Sequence, residues 1–325
     1  MKDQKKAPER TSDQTEVLSG DEIEGQNARI SRYSKAKKDA DSHRQFIEEH
    51  VNDQIYSERE RAELVSMNEK LCSCGNYLLF HHYFTVGKVR LAKAHFCKKH
   101  LLCPLCAIRR GAKGVRVHLE SFLHLKGQNP KINASLVTLT VKNGPDLLER
   151  FKHLQGGVKK ANQRMRNARR RPTYSGEFSK FLGYVGSYEV KKGKNSKMWH
   201  PHCHMIVLHD RPLDQEKLSQ EWAEIMGDSF VVDISPLQHP ENPAADFCEV
   251  FKYAVKFSSM ETRELLEAFF ILKGKPLLFS GGILRGVKIP EELTDNLLED
   301  LPYLELMYRY TESGYSLTET KRIEP

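Results

Sequence analysis

The chain has 325 residues, 39% of them hydrophobic and 29% charged, and a formal net charge of +8. A sizeable core under a basic surface suits a polyanionic partner, nucleic acid or an acidic membrane surface, and no apolar stretch reaches the roughly 20 residues that span a bilayer. Met1–Lys6 has no apolar run of a secretory signal behind it, and seven cysteines, mostly clustered, point to thiols and metal rather than disulfides, so a cytoplasmic protein is expected.

Residues 1–40 are polar and poor in aromatics and read as a disordered tail. From Ser42 to Lys70, Phe46, Ile47 and Val51 recur at helical spacing, so 1–66 is expected to be a charged tail and helical linker. Residues 67–128 hold Cys72, Cys74, Cys97, Cys103 and Cys106, with His100 among them. Cys103-Pro104-Leu105-Cys106 is a C-x-x-C turn whose two sulfurs reach one tetrahedral ion. Cys74 and Cys97 flank a hairpin-like stretch, 77–96, and complete the expected Zn²⁺ set, with Cys72 and His100 as alternative ligands. Plain reduced thiols or a redox C-x-x-C are the ordinary alternatives. The run after the turn, Ile108 to Arg116, enters a helix, and Arg109 and Arg110 are either phosphate contacts or a solvated face.

The expected core covers 129–260. Leu136–Val141 is β-branched and bounded by Asn143-Gly144-Pro145, a strand and a turn. Asp146 to Ala168 reads as a helix whose far end is basic: Lys159, Lys160, Arg164, Arg166, Arg169, Arg170 and Arg171 are either a solvated face or, lying between two core strands, contacts for a DNA backbone. Phe181–Val190 is a second strand ending near Glu189. The short turn Lys191–Lys197 makes it the antiparallel neighbour of the strand Trp199–Leu208, which is apolar at both parities past His204 and so central. His202 and His204, two apart, share one face. Burying them without a partner is costly, which favours a metal or catalytic role over satisfied core histidines. Glu189 can lie beside them as a third ligand, and two imidazoles with one carboxylate suit Mg²⁺ or Mn²⁺ acting on a phosphate. A solvated strand-end Glu is the plainer alternative.

Gln215–Met226 reads as a helix around Trp222, and Ser229–Ile234 as a strand. A further helix opens at Asp246 and runs to about Ser259, with Phe247, Val250, Phe251, Ala254 and Val255 as its packed stripe. Glu249, Tyr253 and Lys256 fall on the opposite side: either a surface ion pair beside an incidental Tyr, or an acid/base group, a nucleophile and a cation. The segment 261–325 holds a helix near 265–270, a Gly-rich stretch and an acidic tail without evident chemistry.

These motifs resemble the rolling-circle replication initiators (Rep proteins) of small bacterial plasmids, in the HUH endonuclease superfamily. Leu136–Thr140 resembles the family's first motif, His200-Pro201-His202-Cys203-His204-Met205-Ile206 the HUH strand, and Glu249–Lys256 the tyrosine helix. Cys74-Gly75, Phe96-Cys97, Cys103–Cys106 and Arg109-Arg110 resemble the zinc-like segment. The resemblance implies an α+β fold, a central antiparallel sheet flanked by helices with an N-terminal zinc-binding segment, and a tyrosine helix packed on the sheet. It implies origin-specific nicking of single-stranded DNA. Tyr253 would attack the phosphate, keep the 5′ end and leave a 3′-OH primer; Lys256 would steady the phosphate or phenolate. Phe257 stands where two-tyrosine relatives carry a second tyrosine, so Glu249 would activate water to end the cycle. A host helicase and replication machinery are the implied partners. Two other classes remain open: a histidine-triad nucleotide hydrolase using His200-x-His202-x-His204, and a zinc-stabilised DNA-binding protein without catalysis.

Overall fold

The computed structural model describes residues 20–171, 173, 175–193, 195–239, 242–253, 260–285 and 301–324, with the side chains of 20–24, 249 and 251–253 outside the description. In chain order the described elements are α1 (Gly20–His50), α2 (Glu58–Cys72), β1 (Tyr77–Tyr83), β2 (Lys88–Ala94), α3 (Pro104–Gln128), β3 (Asn133–Thr140), α4 (Leu147–Arg170), β4 (Phe181–Lys192), β5 (Trp199–His209), α5 (Gln215–Met226), β6 (Val232–Pro236), α6 (Pro243–Tyr253), α7 (Thr262–Leu272), β7 (Leu278–Gly282), β8 (Tyr303–Thr311) and β9 (Gly314–Ile323). The fold is α+β, with two antiparallel sheets flanked by helices. The chain divides into two units, one of residues 1–38, 73–96 and 295–325, the other of 39–72 and 97–294. The division after Phe96 falls inside the segment expected over 67–128. None of the described helices is long and apolar enough to cross a membrane.

The smaller unit holds a four-stranded sheet in the order β2-β1-β8-β9. One face is filled by Leu78, Phe80, Leu306 and Tyr315, against which α1 packs Ile30 and Tyr33. Ser34 Oγ accepts the Tyr315 N–H at 3.0 Å. The expectation of a disordered tail over 1–40 is therefore overturned for residues 20–40; residues 1–19 lie outside the described residues. The apolar residues of α1 are few, but Ile30, Tyr33 and Ala36 recur at helical spacing, and burial against a sheet offsets the ordering entropy that composition alone leaves uncompensated. The helical reading of 42–70 holds as two helices. Ser57 separates them, its Oγ accepting from Glu60 N while the Glu60 carboxylate accepts from Ser57 N, a reciprocal cap that opens α2.

The larger unit is built on a five-stranded sheet ordered β6-β3-β5-β4-β7, with β5 in the middle. Both faces are covered. On one, Val185, Ile206 and Leu208 meet Phe122 of α3 and Phe247 and Val250 of α6. On the other, α4 packs its apolar stripe: Phe151 meets Tyr188 edge-on at 5.2 Å between ring centroids, and α5 sends Trp222 Nε1–H to the Thr140 carbonyl at 2.8 Å. Asp146 and Asp214 cap α4 and α5, each accepting a backbone N–H three residues on. Gly144 pairs with Trp199 across the backbone and pins the turn between β3 and α4 to the start of β5. The strand expected over Ser229–Ile234 starts later: Phe230 and Val231 are exposed, and β6 pairs with β3 only from Val232 through Pro236.

Candidate metal site

Antiparallel register sets the site. On β4 and β5, Glu189 stands opposite His202 and Ser187 opposite His204; on β3 and β5, Thr138 stands opposite His204. Directly opposed residues of an antiparallel pair share a face, so the two imidazoles and the carboxylate meet as the hairpin reading requires. Glu189 Oε2 accepts from His204 Nε2 at 2.9 Å and lies 3.9 Å from His202 Nδ1. Neighbouring donors around a small octahedral cation at about 2.1 Å stand about 3 Å apart, which the His204–Glu189 spacing matches. The three donor atoms lie within 4.8 Å of one another and fit a divalent cation held by two nitrogens and an oxygen.

Glu189 is 2% exposed. Its burial works to raise its pKa, but the His202 and His204 rings and the Lys191 ammonium beside it outweigh that and hold the carboxyl well below the ordinary range. Lys191 Nζ lies 2.9 Å from Oε1. Thr138 Oγ1 and His204 Nδ1 are 3.1 Å apart. A cation on Nε2 requires the proton on Nδ1, and the Thr138 hydroxyl can accept it as readily as donate, so Thr138 supports either tautomer. Sequence reading missed Thr138 and Ser187 as neighbours of the site. The parity of Thr138 within Leu136–Thr140 carries the signal, but only once the β3–β5 register is known.

Helix α6 lies over the same face. The buried Ser187 hydroxyl donates to the Val250 carbonyl at 2.6 Å, and Phe247 packs on Phe122 with 5.7 Å between centroids. Asp246, 1% exposed, fixes the entry to the helix by accepting from Gln238 N and His239 N, each at 3.0 Å. A cavity of about 250 Å³ opens beside His204, walled by Thr138, Asp233, Asp246 and Val250. Tyr253 ends α6, one turn beyond Val250. The side chains of Glu249 and Tyr253, and Lys256 altogether, lie outside the described residues.

Among the expected zinc ligands, Cys97, Cys103 and Cys106 of the larger unit bring their sulfurs within 4.8 Å of one another. Cys97 and Cys106 Sγ are 3.5 Å apart, close to the ~3.8 Å edge of a tetrahedron with Zn–S near 2.3 Å. Cys103 precedes α3 and Pro104 opens it, so the C-x-x-C turn is the helix start itself. Cys74, in the smaller unit, is fully buried beside Gly75, whose φ of 70° lies in the left-handed region that favours glycine. The alternatives are not part of the sulfur group: Cys72 is exposed, and Arg110 donates to the His100 ring at 2.7 Å. Burial and that guanidinium push His100 down to about 4.

The basic residues are placed differently from the histidines. Arg109 and Arg110 are exposed on α3, and Lys159, Lys160, Arg166, Arg169, Arg170 and Arg171 are exposed on or just after α4. Arg164 is held by Glu221 at 3.0 Å and Glu224 at 3.1 Å. Arg169 donates to the Leu182 carbonyl, beside the Phe181–His209 pair. The basic end of α4 thus sits on the opposite face and at the opposite end of the sheet from His202. Lying between two core strands in sequence did not bring it to the histidines, because a sheet has two faces.

The fold and site define an α+β protein with a two-histidine, one-carboxylate group able to hold a divalent cation. The chain belongs to the Replication protein family, whose profile matches residues 88–305. It is similar to the "Protein rep" of a Bacillus species, 26% identical over 237 residues, covering 71% of this chain and 72% of that protein. It is also similar to the "Protein rep" of Bacillus amyloliquefaciens, 25% identical, covering 73% of this chain and 66% of that one, and to that of Streptococcus pneumoniae serotype 2, 28% identical over 52% and 51%. No solved structure matches.

Proposed function

We propose that the chain initiates rolling-circle replication of a plasmid by nicking one DNA strand at an origin. Glu189, His202 and His204 hold Mg²⁺ or Mn²⁺, which when bound polarises the scissile phosphate. The Tyr253 oxygen bonds to phosphorus, the P–O3′ bond breaks, the 3′-OH leaves as a primer and the 5′ phosphate stays on the tyrosine. A phenol of pKa near 10 needs help at neutral pH, the role assigned to Lys256. Glu249, one turn before Tyr253, activates the water that releases the 5′ end. The basic residues of α3 and α4 hold duplex DNA away from the nick, and a host helicase and replication machinery follow in the cytoplasm.

The observation that supports this reading is the pairing of Glu189 with His204 on adjacent strands beneath α6. Family membership and that carboxylate speak against the histidine-triad alternative, whose nucleophilic His needs no metal. The deciding experiment incubates the protein with supercoiled origin plasmid and Mn²⁺, then denatures it. A covalent protein–DNA adduct that EDTA prevents is expected; origin binding with neither nick nor adduct would establish the non-catalytic alternative.

Two further outcomes are expected. Ser187→Ala removes the tie between β4 and α6 and should cost only about 1 kcal/mol of stability. Nicking should nevertheless fall by ten- to about a hundredfold at saturating DNA, because a displacement near 1 Å at a reacting group is that costly. An unchanged single-turnover rate would show that the tie does not position the helix. Zinc is proposed on Cys74, Cys97, Cys103 and Cys106. Cys103→Ser should lower the melting temperature and release zinc, since a closed tetrahedral site contributes folding energy. Elemental analysis finding no zinc in natively purified protein would refute this.

A further inference from the structure

We propose that the second face of the smaller sheet is a binding surface for single-stranded DNA. The proposal rests on the reading that the substrate is DNA, but it concerns a surface separate from the histidines. One face of this sheet is filled by α1. Register places Tyr77, His81 and Tyr83 of β1 and Tyr303 of β8 together on the other. His81 stacks on Tyr303 with centroids 4.1 Å apart and planes 19° from parallel, and Tyr83 lies 5.4 Å from Tyr303. The three rings form one aromatic cluster at one end of the two central strands, with Tyr83 buried and His81 and Tyr303 half-buried.

Cations flank the cluster. Lys88, Arg90 and Lys93 stand opposite Tyr83, His81 and Leu79 on β2, and all three are exposed. Arg309 faces Tyr77 on β8, and Lys321 faces Glu305 on β9, both exposed. Against these five stand Glu305 and Glu319, and the Glu305 carboxylate lies 3.5 Å from His81 Nε2. Charged residues on an edge strand often serve only to block strand addition. That would account for β2. It does not account for Arg309, which is on an interior strand, or for the half-buried rings of Tyr77, His81 and Tyr303 on the face of β1 and β8 that α1 does not fill.

Aromatic rings amid cations are what unpaired nucleotides require: bases stack on the rings and phosphates meet the charges. A duplex has its bases already stacked and uses only the charges. The occupant is therefore single-stranded DNA, bound without need of a particular sequence.

The test uses the full chain, fluorescence anisotropy, and a labelled oligo(dT) of about 20 nucleotides containing no nick site. Tyr303→Ala should weaken binding on the order of tenfold. The exposed pair Arg90→Glu and Lys93→Glu should weaken it further and flatten its salt dependence, with the fold intact. Irradiation of the wild-type complex should cross-link DNA to peptides carrying His81 or Tyr303. Wild-type affinity in the folded charge-reversed variant overturns the proposal. So does a loss of duplex binding alone, or failure of the wild type to bind the oligonucleotide. Plasmid nicking is read separately: a wild type that binds oligo(dT) through this face yet never nicks an origin contradicts the proposed function and leaves this surface standing.

Discussion

Tyr253→Phe should form no nick and no covalent adduct, while still binding the origin. The substitution removes one oxygen and leaves the ring, so α6 keeps its packing through Phe247 and Val250. What is lost is the oxygen proposed to bond to phosphorus, and removal of a nucleophile in a hydrolase costs on the order of 10⁶-fold. Glu249→Ala makes the contrast. It should nick at near the normal rate, because phenol and metal ligands are untouched, and then stall. Loss of a general base costs about 10²–10⁴-fold at the step that needs it, so adducts and over-long strands should accumulate. If Glu249 were only a surface partner, its loss would cost under about 1 kcal/mol and change no product. Resolving monomer circles from multimers on an origin plasmid decides between them. Adduct formation by Tyr253→Phe would remove the tyrosine from the mechanism.

Glu189→Gln should abolish metal-dependent nicking, by more than about 10²-fold, and leave duplex binding nearly unchanged. The amide keeps the shape but offers neither the charge nor the second acceptor oxygen, while duplex binding rests on many spread phosphate contacts. Mn²⁺ titration followed by calorimetry should show the wild-type site lost; wild-type Mn²⁺ affinity in the variant would displace Glu189 from the ligand set. The same substitution has a signature in acid. The folded pKa of Glu189 is depressed below its ordinary 4.5. Its contribution to stability is therefore fully present above that value and lost as pH falls through the lowered folded pKa. Metal-free wild type should lose stability over that acid range, and Glu189→Gln should lose less.

Local pattern alone determined the histidine strand, its hairpin partner and the helices capped by Asp146 and Asp214. Period two puts His202 and His204 on one face, and a short connection forces antiparallel pairing, so even the approach of Glu189 followed from spacing. Three features needed the tertiary structure. The C-terminal hairpin became a sheet only by pairing Tyr77–His82 with residues 304–309 across more than two hundred positions, a contact that no local pattern encodes. The first half of helix α1 acquired its core from that sheet, because Ile30 and Tyr33 have nothing to bury against within their own segment. The basic end of α4 went to the far face because α4 is the crossover between the parallel strands β3 and β4, whose handedness chooses the face of the sheet, while its apolar stripe only turns Phe151 toward Tyr188.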